Sequence, residues 1–348
     1  MPETTFGAAI ETAIRSAMAA DPRIVILGED VSVLRRDAYV RFGRRRVVDG
    51  PISESALLGA AVGAAMAGLR PLVEVMFVDF VGVGLDQLLN SAAKVDAFTN
   101  GRWRAPMVVR AACGGGYGDG GQHEQALWGL LAGIPGLTVV VPSTPADAAG
   151  LMLSALEHDG PVVFLEHKLL SEQWRDYVGG AVRSDIDFDV PVAGATGEVS
   201  DPPAPVPIGS AALRREGTDL VMISVGVGVH RCMTAADGLA ADGISAAVMD
   251  LRTVSPLDTP AVLSAARSTK RVLVVDEDYT RGGLSGEIAA RLSEADVAAA
   301  YARVTTEETI PYARALEIEA LPNVPRIVAA ARGLVSRRTE MRVEITAT

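Results

Sequence analysis

Apolar residues recur along this chain at two spacings. Phe6, Ile10 and Ile14 fall every fourth position, which puts them on one stripe of a helix that begins almost at the first residue. Short β-branched runs follow at residues 24–27, 72–76, 107–110, 137–141 and 162–165, with longer helical stretches between them, such as 146–157. Runs that are apolar at nearly every position suit strands covered on both faces. Strand and helix in alternation predict an α/β fold with a parallel sheet between two layers of helices. Further runs at 220–225, 246–249 and 272–275 predict a second unit of the same kind.

The composition changes between the two units. Gly, Ala and Pro dominate residues 191–207, with Pro202, Pro203, Pro205 and Pro207 close together, as in a semi-rigid linker. The expected organisation is a three-layer α/β/α domain over 1–190, a linker over 191–207 and a second three-layer domain over 208–348. A length of 348 residues suits two domains. The net charge of −11 argues against nucleic acid or an anionic membrane as the main partner. Cys113 and Cys232 offer neither a disulfide framework nor metal-ligand spacing. No apolar run approaches membrane-spanning length and no signal-peptide pattern opens the chain, so a cytoplasmic protein is expected. Lysine is scarce, being confined to Lys94, Lys168 and Lys270.

The most informative segment is Pro51, Ile52, Ser53 and Glu54, followed by a helix of mostly small residues at 55–68 and a strand from Arg70. Proline cannot donate into a sheet ladder and Ser53 is a good N-cap, so Glu54 should sit where strand gives way to helix. Gly and Ala let backbone or a flat ligand come close, and a carboxylate held in such an apolar crevice needs a partner. The plainer reading is that Glu54 only opens the helix, where acids are favoured.

This segment resembles the β subunit of thiamine-diphosphate-dependent 2-oxoacid dehydrogenases. The resemblance extends from residue 6 to about 332, through the blocks at 26–31, 86–94, 122–123, 135–137, 250–258 and 311–313. It implies a two-domain transketolase-like fold, with a pyrimidine-binding domain followed by a C-terminal domain. It also implies that Glu54 is the catalytic carboxylate: hydrogen-bonded to the cofactor's aminopyrimidine, it would favour the imino form that activates the thiazolium carbon. Leu57 would line the same pocket. Phe80 would stack on the pyrimidine, unless it and Phe77 are only core residues. Glu29, after the strand at 24–27, and Asp86, at a helix start, would line a solvated tunnel; Asp86 equally suits helix-start stabilisation.

Glycines at 114–116, 118, 120 and 121 precede His123 in a loop expected to be mobile and open to a ligand. The resemblance makes His123 face the substrate, where it can shuttle protons near neutral pH. Glu124 replaces the serine of many relatives and is an acid able to raise the histidine's pKa. Gly118, Asp119 and Gly120 match the start of a diphosphate- and Mg²⁺-binding motif, but the next asparagine after Asn100 is Asn323, too far to complete it. No side chain here is therefore expected to hold metal. The resemblance implies that an α subunit holds Mg²⁺ and diphosphate in an α2β2 heterotetramer. It also raises a K⁺ held by the backbone carbonyls of Met107, Ala155, Leu156, His158 and Gly160, for which side chains give no signature.

Two motifs are decoys. Residues 224–230 with Asp250 imitate a dinucleotide fingerprint, but Arg231 stands where the third glycine belongs. The cluster Arg35, Arg36, Arg41, Arg44, Arg45 and Arg46 is expected to be a solvated or subunit-facing loop. Glu287, Glu294, Asp296, Glu307 and Glu308 suit either a basic segment of a lipoyl acyltransferase core or plain solvation. The expected activity is decarboxylation of a 2-oxoacid, pyruvate or branched-chain, with reductive acylation of that acyltransferase's lipoyl group. An acetoin dehydrogenase β subunit, the C-terminal half of a split transketolase and a non-catalytic assembly subunit are the alternatives.

Overall fold

The computed structural model describes residues 3–174 and 195–346, the last helix from residue 337 on by its backbone alone. Its strands, in chain order, are β1 (Glu3–Thr5), β2 (Ile24–Gly28), β3 (Val47–Asp49), β4 (Arg70–Phe77), β5 (Val108–Cys113), β6 (Thr138–Val140), β7 (Val162–His167), β8 (Thr196–Glu198), β9 (Ala212–Arg215), β10 (Leu220–Ser224), β11 (Ala246–Asp250), β12 (Thr253–Ser255), β13 (Arg271–Tyr279) and β14 (Ala300–Thr306). They form a seven-stranded sheet in the order β12-β6-β7-β5-β4-β2-β3 and a five-stranded sheet in the order β14-β13-β10-β11-β9. β1 and β8 form a separate two-stranded antiparallel sheet, and in the two larger sheets pairing is parallel except where β12 meets β6 and β9 meets β11. Strand alternation then sorts the side chains. Ile24, Ile26, Leu72, Val108 and Val162 face the helices Phe6–Ala20 and Pro145–Glu157. Val73, Val75, Val109 and Val163 face the helix Glu54–Met66. Both faces are covered, which gives three layers, and the second sheet repeats the plan.

The two units are more intimately joined than a linker implies. One buried cluster runs from Leu57 and Val73 through Val139 to Val221, Ile223 and Val274, so a single core serves both sheets. β12, which follows β11 of the second sheet, adds itself to the edge of the first. Within 191–207, residues 191–194 lie outside the described residues, and the remainder lies against the first unit. β8 pairs with β1, and Val206 exchanges hydrogen bonds with Gly150 and Ser154. Among the described residues, no helix is long and apolar enough to cross a membrane.

The first unit also buries charge. Arg110 is 1% exposed and donates to Glu11 at 2.8 Å and to Glu166 at 2.8 Å. Arg35, expected in a solvated loop, is instead buried and grips Glu74 with two hydrogen bonds of 3.0 and 2.9 Å. Burial alone would raise the Glu74 carboxyl, but the Arg35 and Arg110 guanidiniums outweigh it and hold it below the usual range. Arg46 also turns inward, to the carbonyls of Ile24, Met18 and Asp21. Removing one member of such a network strands the others. Arg110→Met should therefore lower stability by about 3–5 kcal/mol, read from urea unfolding midpoints. A loss below about 1 kcal/mol would show that the acids find other partners.

Candidate functional site

Parallel strands gather their C-terminal ends along one edge, and the loops leaving those ends hold the candidate residues. Glu29 follows β2 and is half-buried. Gly50, after β3, donates to Gly28 O at 2.8 Å, tying the two strand ends together. Gly50 also makes room for Leu57, whose Cδ2 would lie 2.4 Å from a Cβ at that position. Glu54 opens the helix Glu54–Met66, with Ser53 at the N-cap, but the Ser53 side chain makes no capping hydrogen bond. Gly84 packs against this first turn, where an added Cβ would lie 3.1 Å from Glu54 O. Phe80 lies on the short helix Val78–Val81 that leaves β4, just before that contact. Asp86 stands at the start of the π-helix Gln87–Ala92, exposed and bonded to Asn90 at 2.6 Å. Ser55 donates to Gln87 at 3.3 Å, which binds this element to the Glu54 helix.

Glu54 was expected in a tight crevice. In this chain it is half-buried, and its carboxylate has no hydrogen-bond or ion-pair partner among the described residues. Nearby Ile52 and Val83 are 77% and 64% exposed.

Phe80 belongs to an aromatic wall. Its ring centroid lies 5.5 Å from that of Phe77 and 5.6 Å from the His123 ring, both edge-on. His123 also meets Phe77 edge-on at 5.6 Å. Phe77 ends β4 and is buried, whereas Phe80 is half-buried, so the two do not share one helical turn. Lys168, after β7, sits between the rings of Phe77 and Tyr117 at 5.0 and 5.4 Å. Its Nζ donates to His123 O at 2.5 Å. Burial lowers its pKa despite the acids around it.

The glycine-rich loop departs from expectation. Gly114, Gly116, Gly118 and Gly120 have φ of 86, 120, 72 and 72°, a region that favours glycine. This backbone turns its N–H groups onto buried carboxylates. Gly115 donates to Glu277 at 2.8 Å, Gly116 to Glu317 at 2.6 Å, and Tyr117 and Gly120 to Glu124 at 2.7 and 3.1 Å. A loop read as mobile is thus anchored. Glu124, read as an acid acting on His123, is fully buried and spends its oxygens inside the loop. Asp79 was not singled out from sequence. One of its oxygens accepts from Gln125 at 2.7 Å, and the other is buried with no partner.

Several expected groups lie elsewhere. Met107 precedes β5 and residues 155–160 precede β7, so the carbonyls considered for K⁺ are at the opposite edge of the sheet. Four of the five already accept a hydrogen bond: Met107 O from Val162, Ala155 O from His158, and Leu156 O and His158 O from Arg70. Asp250 is buried on Ser143 and Arg214, leaving no acid for a ribose. Glu287, Glu294, Asp296, Glu307 and Glu308 are exposed. Lys168, Glu277 and Glu317 escaped the sequence reading. Only Lys168 gave a signal, as one of three lysines in the chain and the residue just past a strand end.

Glu277 has the sharpest electrostatics here. Burial would raise its carboxyl, but His167 at 2.9 Å and Arg231 at 2.6 Å bring it down to about 2. A carboxyl depressed from its ordinary value contributes stability above that value and loses it as pH falls through about 2. Glu277→Gln should cost about 3 kcal/mol at pH 7. It should also flatten the acid limb of the stability curve between about pH 4.5 and 2, followed by urea unfolding across that range. An unchanged acid limb would move the source of acid sensitivity elsewhere.

Comparison with known proteins agrees with this geometry. Residues 3–173 match the model of the transketolase pyrimidine-binding domain, and residues 209–327 that of the transketolase C-terminal domain. The chain is 39% identical to the 2-oxoisovalerate dehydrogenase subunit beta of Bacillus subtilis, over 94% of this chain and 97% of that one. It is 37% identical to the acetoin:2,6-dichlorophenolindophenol oxidoreductase subunit beta of Cupriavidus necator, over 93% and 95%. With the pyruvate dehydrogenase E1 component subunit beta of Bacillus subtilis it shares 35% over 95% and 98%. A solved split-gene transketolase, an inactive β4 tetramer, superposes with a TM-score of 0.76 at 22% identity, covering 95% of this chain and 98% of that one, which shows the common fold. The chain therefore belongs to the β subunits of the 2-oxoacid dehydrogenases, within the transketolase-like family of thiamine-diphosphate enzymes.

Proposed function

We propose that this chain supplies the pyrimidine-binding half of a thiamine-diphosphate site, completed by an α subunit, for oxidative decarboxylation of a 2-oxoacid. The observation that supports it most directly is the half-buried carboxylate of Glu54, without a partner among the described residues, beside the turn that follows Phe80. A carboxylate without an internal partner is free to accept a hydrogen bond from a ligand ring nitrogen. Leu57 and the half-buried Phe80 ring would flank a flat heterocycle there. These residues fit the pyrimidine end of the cofactor and nothing more of it. Among the described residues, no cluster of acids, histidines or cysteines suits a metal ion. In this reading the α subunit holds Mg²⁺ and the diphosphate, as the incomplete motif at Gly118, Asp119 and Gly120 suggests.

Thiamine diphosphate, when bound, supplies the nucleophilic carbon and the electron sink for decarboxylation. Glu54 holds a proton at the pyrimidine nitrogen. Phe80 orients the ring and excludes water. His123, held against Phe77 and Phe80, presents its imidazole to the substrate as a proton donor or acceptor. Glu29 and Asp86, at neighbouring strand and helix ends, line the approach. A lipoyl group on an acyltransferase would take up the acyl group, its disulfide being reduced as the substrate carbon is oxidised. Substrate choice among pyruvate, branched-chain 2-oxoacids and acetoin is divided over relatives of similar identity, which favours an acetoin enzyme as the second reading.

The test is co-expression with the α subunit and measurement of 2-oxoacid-dependent dye reduction with added thiamine diphosphate. Glu54→Gln should assemble normally and lose about 10²–10⁴-fold in turnover. Near-normal turnover by this variant would remove Glu54 from catalysis. Activity of the chain without a partner would sink the shared site.

A further inference from the structure

Beyond the cofactor pocket, the glycine-rich loop joins two carboxyls that no catalytic step uses. Glu124, which ends the loop, and Glu317, on the helix Arg314–Ala320, are both 0% exposed. They accept from consecutive N–H groups of that loop, those of Tyr117 and Gly116. Adjacent N–H groups 2.6 and 2.7 Å from one oxygen of each acid bring the two carboxyls together at the same turn of the loop. Two buried carboxylates this close do not both ionise. The groups around them show where the negative charge stays. Arg314 pairs with the second oxygen of Glu317 at 2.7 Å. Among the described residues the hydrogen bonds to Glu124 come from the neutral N–H groups of Tyr117 and Gly120, and the Lys168 charge acts on it without a direct bond. Lys168, from the segment after β7, directs its Nζ to His123 O and to two aromatic rings rather than to either acid. Asp119 lies in the loop, and Glu277 of β13 accepts from Gly115 while it is paired with His167 and Arg231. These further acids disfavour a second ionised carboxylate.

We propose that Glu124 and Glu317 share one proton, donated by Glu124, and that this acid pair locks the glycine-rich loop of the first sheet onto the helix Arg314–Ala320 of the second unit. The lock extends to His123, whose main chain adjoins Glu124 and accepts from Lys168. It concerns the order of the loop and holds whether or not Glu54 is catalytic.

The direction of the Glu124 carboxyl agrees, since burial and the bond to Glu317 push it up to about 8. A carboxyl raised from 4.5 to about 8 stabilises the fold most at low pH, and that contribution is lost as pH climbs through the interval. Glutamine at 124 keeps a donor and an acceptor but cannot ionise.

The experiment follows the full chain by urea unfolding from pH 5 to 9 and by infrared spectroscopy. Relative to Glu124→Gln, the wild-type unfolding constant should rise about tenfold per pH unit between about pH 5 and 8. The wild-type spectrum at pH 6.5 should contain a protonated-carboxyl band that Glu124→Gln lacks. That comparison also subtracts Asp276, which burial pushes up to about 7. Glu317→Gln removes the anionic neighbour but leaves the burial, so it should shift the loss of the band to lower pH and reduce the slope, and it decides the matter if Glu124→Gln does not fold. Parallel slopes in wild type and variants, or no carboxyl band assignable to Glu124, would overturn the shared proton.

Discussion

Burying a carboxylate is costly unless donors reach it, and at Glu277 this requirement organises the whole molecule. Glu277 lies on β13 of the second sheet, yet its donors come from the loop after β5, the end of β7 and the helix Val227–Ala241. The strand end that carries the candidate histidine loop is thus held by an acid of the other unit. Its neighbours act the same way. Asp276 accepts from the Trp128 indole at 2.9 Å and Asp278 from Gly129 N at 2.7 Å. Asp147, Asp250, Arg214 and Arg252 close the seam near β12, which is itself a strand lent by one unit to the other. The site edge of the first sheet is therefore built by both halves of the chain, and neither half would present it alone.

What the sequence revealed, and what it hid, follows from the range of the interactions. Strands and helices were legible because each is written in a short apolar pattern; Phe6, Ile10 and Ile14 are all fully buried, as their spacing requires. The placement of Glu54 at a helix start was legible for the same reason. The state of its side chain was not, because burial depends on what lies across the crevice. Loop order was misread because the partners of its N–H groups are far away in sequence. Glu277 is 162 residues from Gly115, and Glu317 is 201 residues from Gly116. Arg35 shows the same blindness from the other side: within a run of arginines nothing local distinguishes Arg35 and Arg46, which turn inward, from those that stay in water.

The helix Glu54–Met66 has one further property that bears on the shared-site reading. Small or apolar residues continue around it, and Ala60, Gly63 and Met66 are exposed although none is polar. Ile52 and Val83 extend the same bare surface past Glu54. A second polypeptide resting there would exclude water from the Glu54 carboxylate, which has no partner among the described residues. Desolvation would then make an unpaired Glu54 costly, and a ligand N–H able to pair with it correspondingly more valuable. Partner and cofactor binding would reinforce each other through that single group, with no change of shape required. The open, half-buried Glu54 of the isolated chain is the state such a coupling would start from.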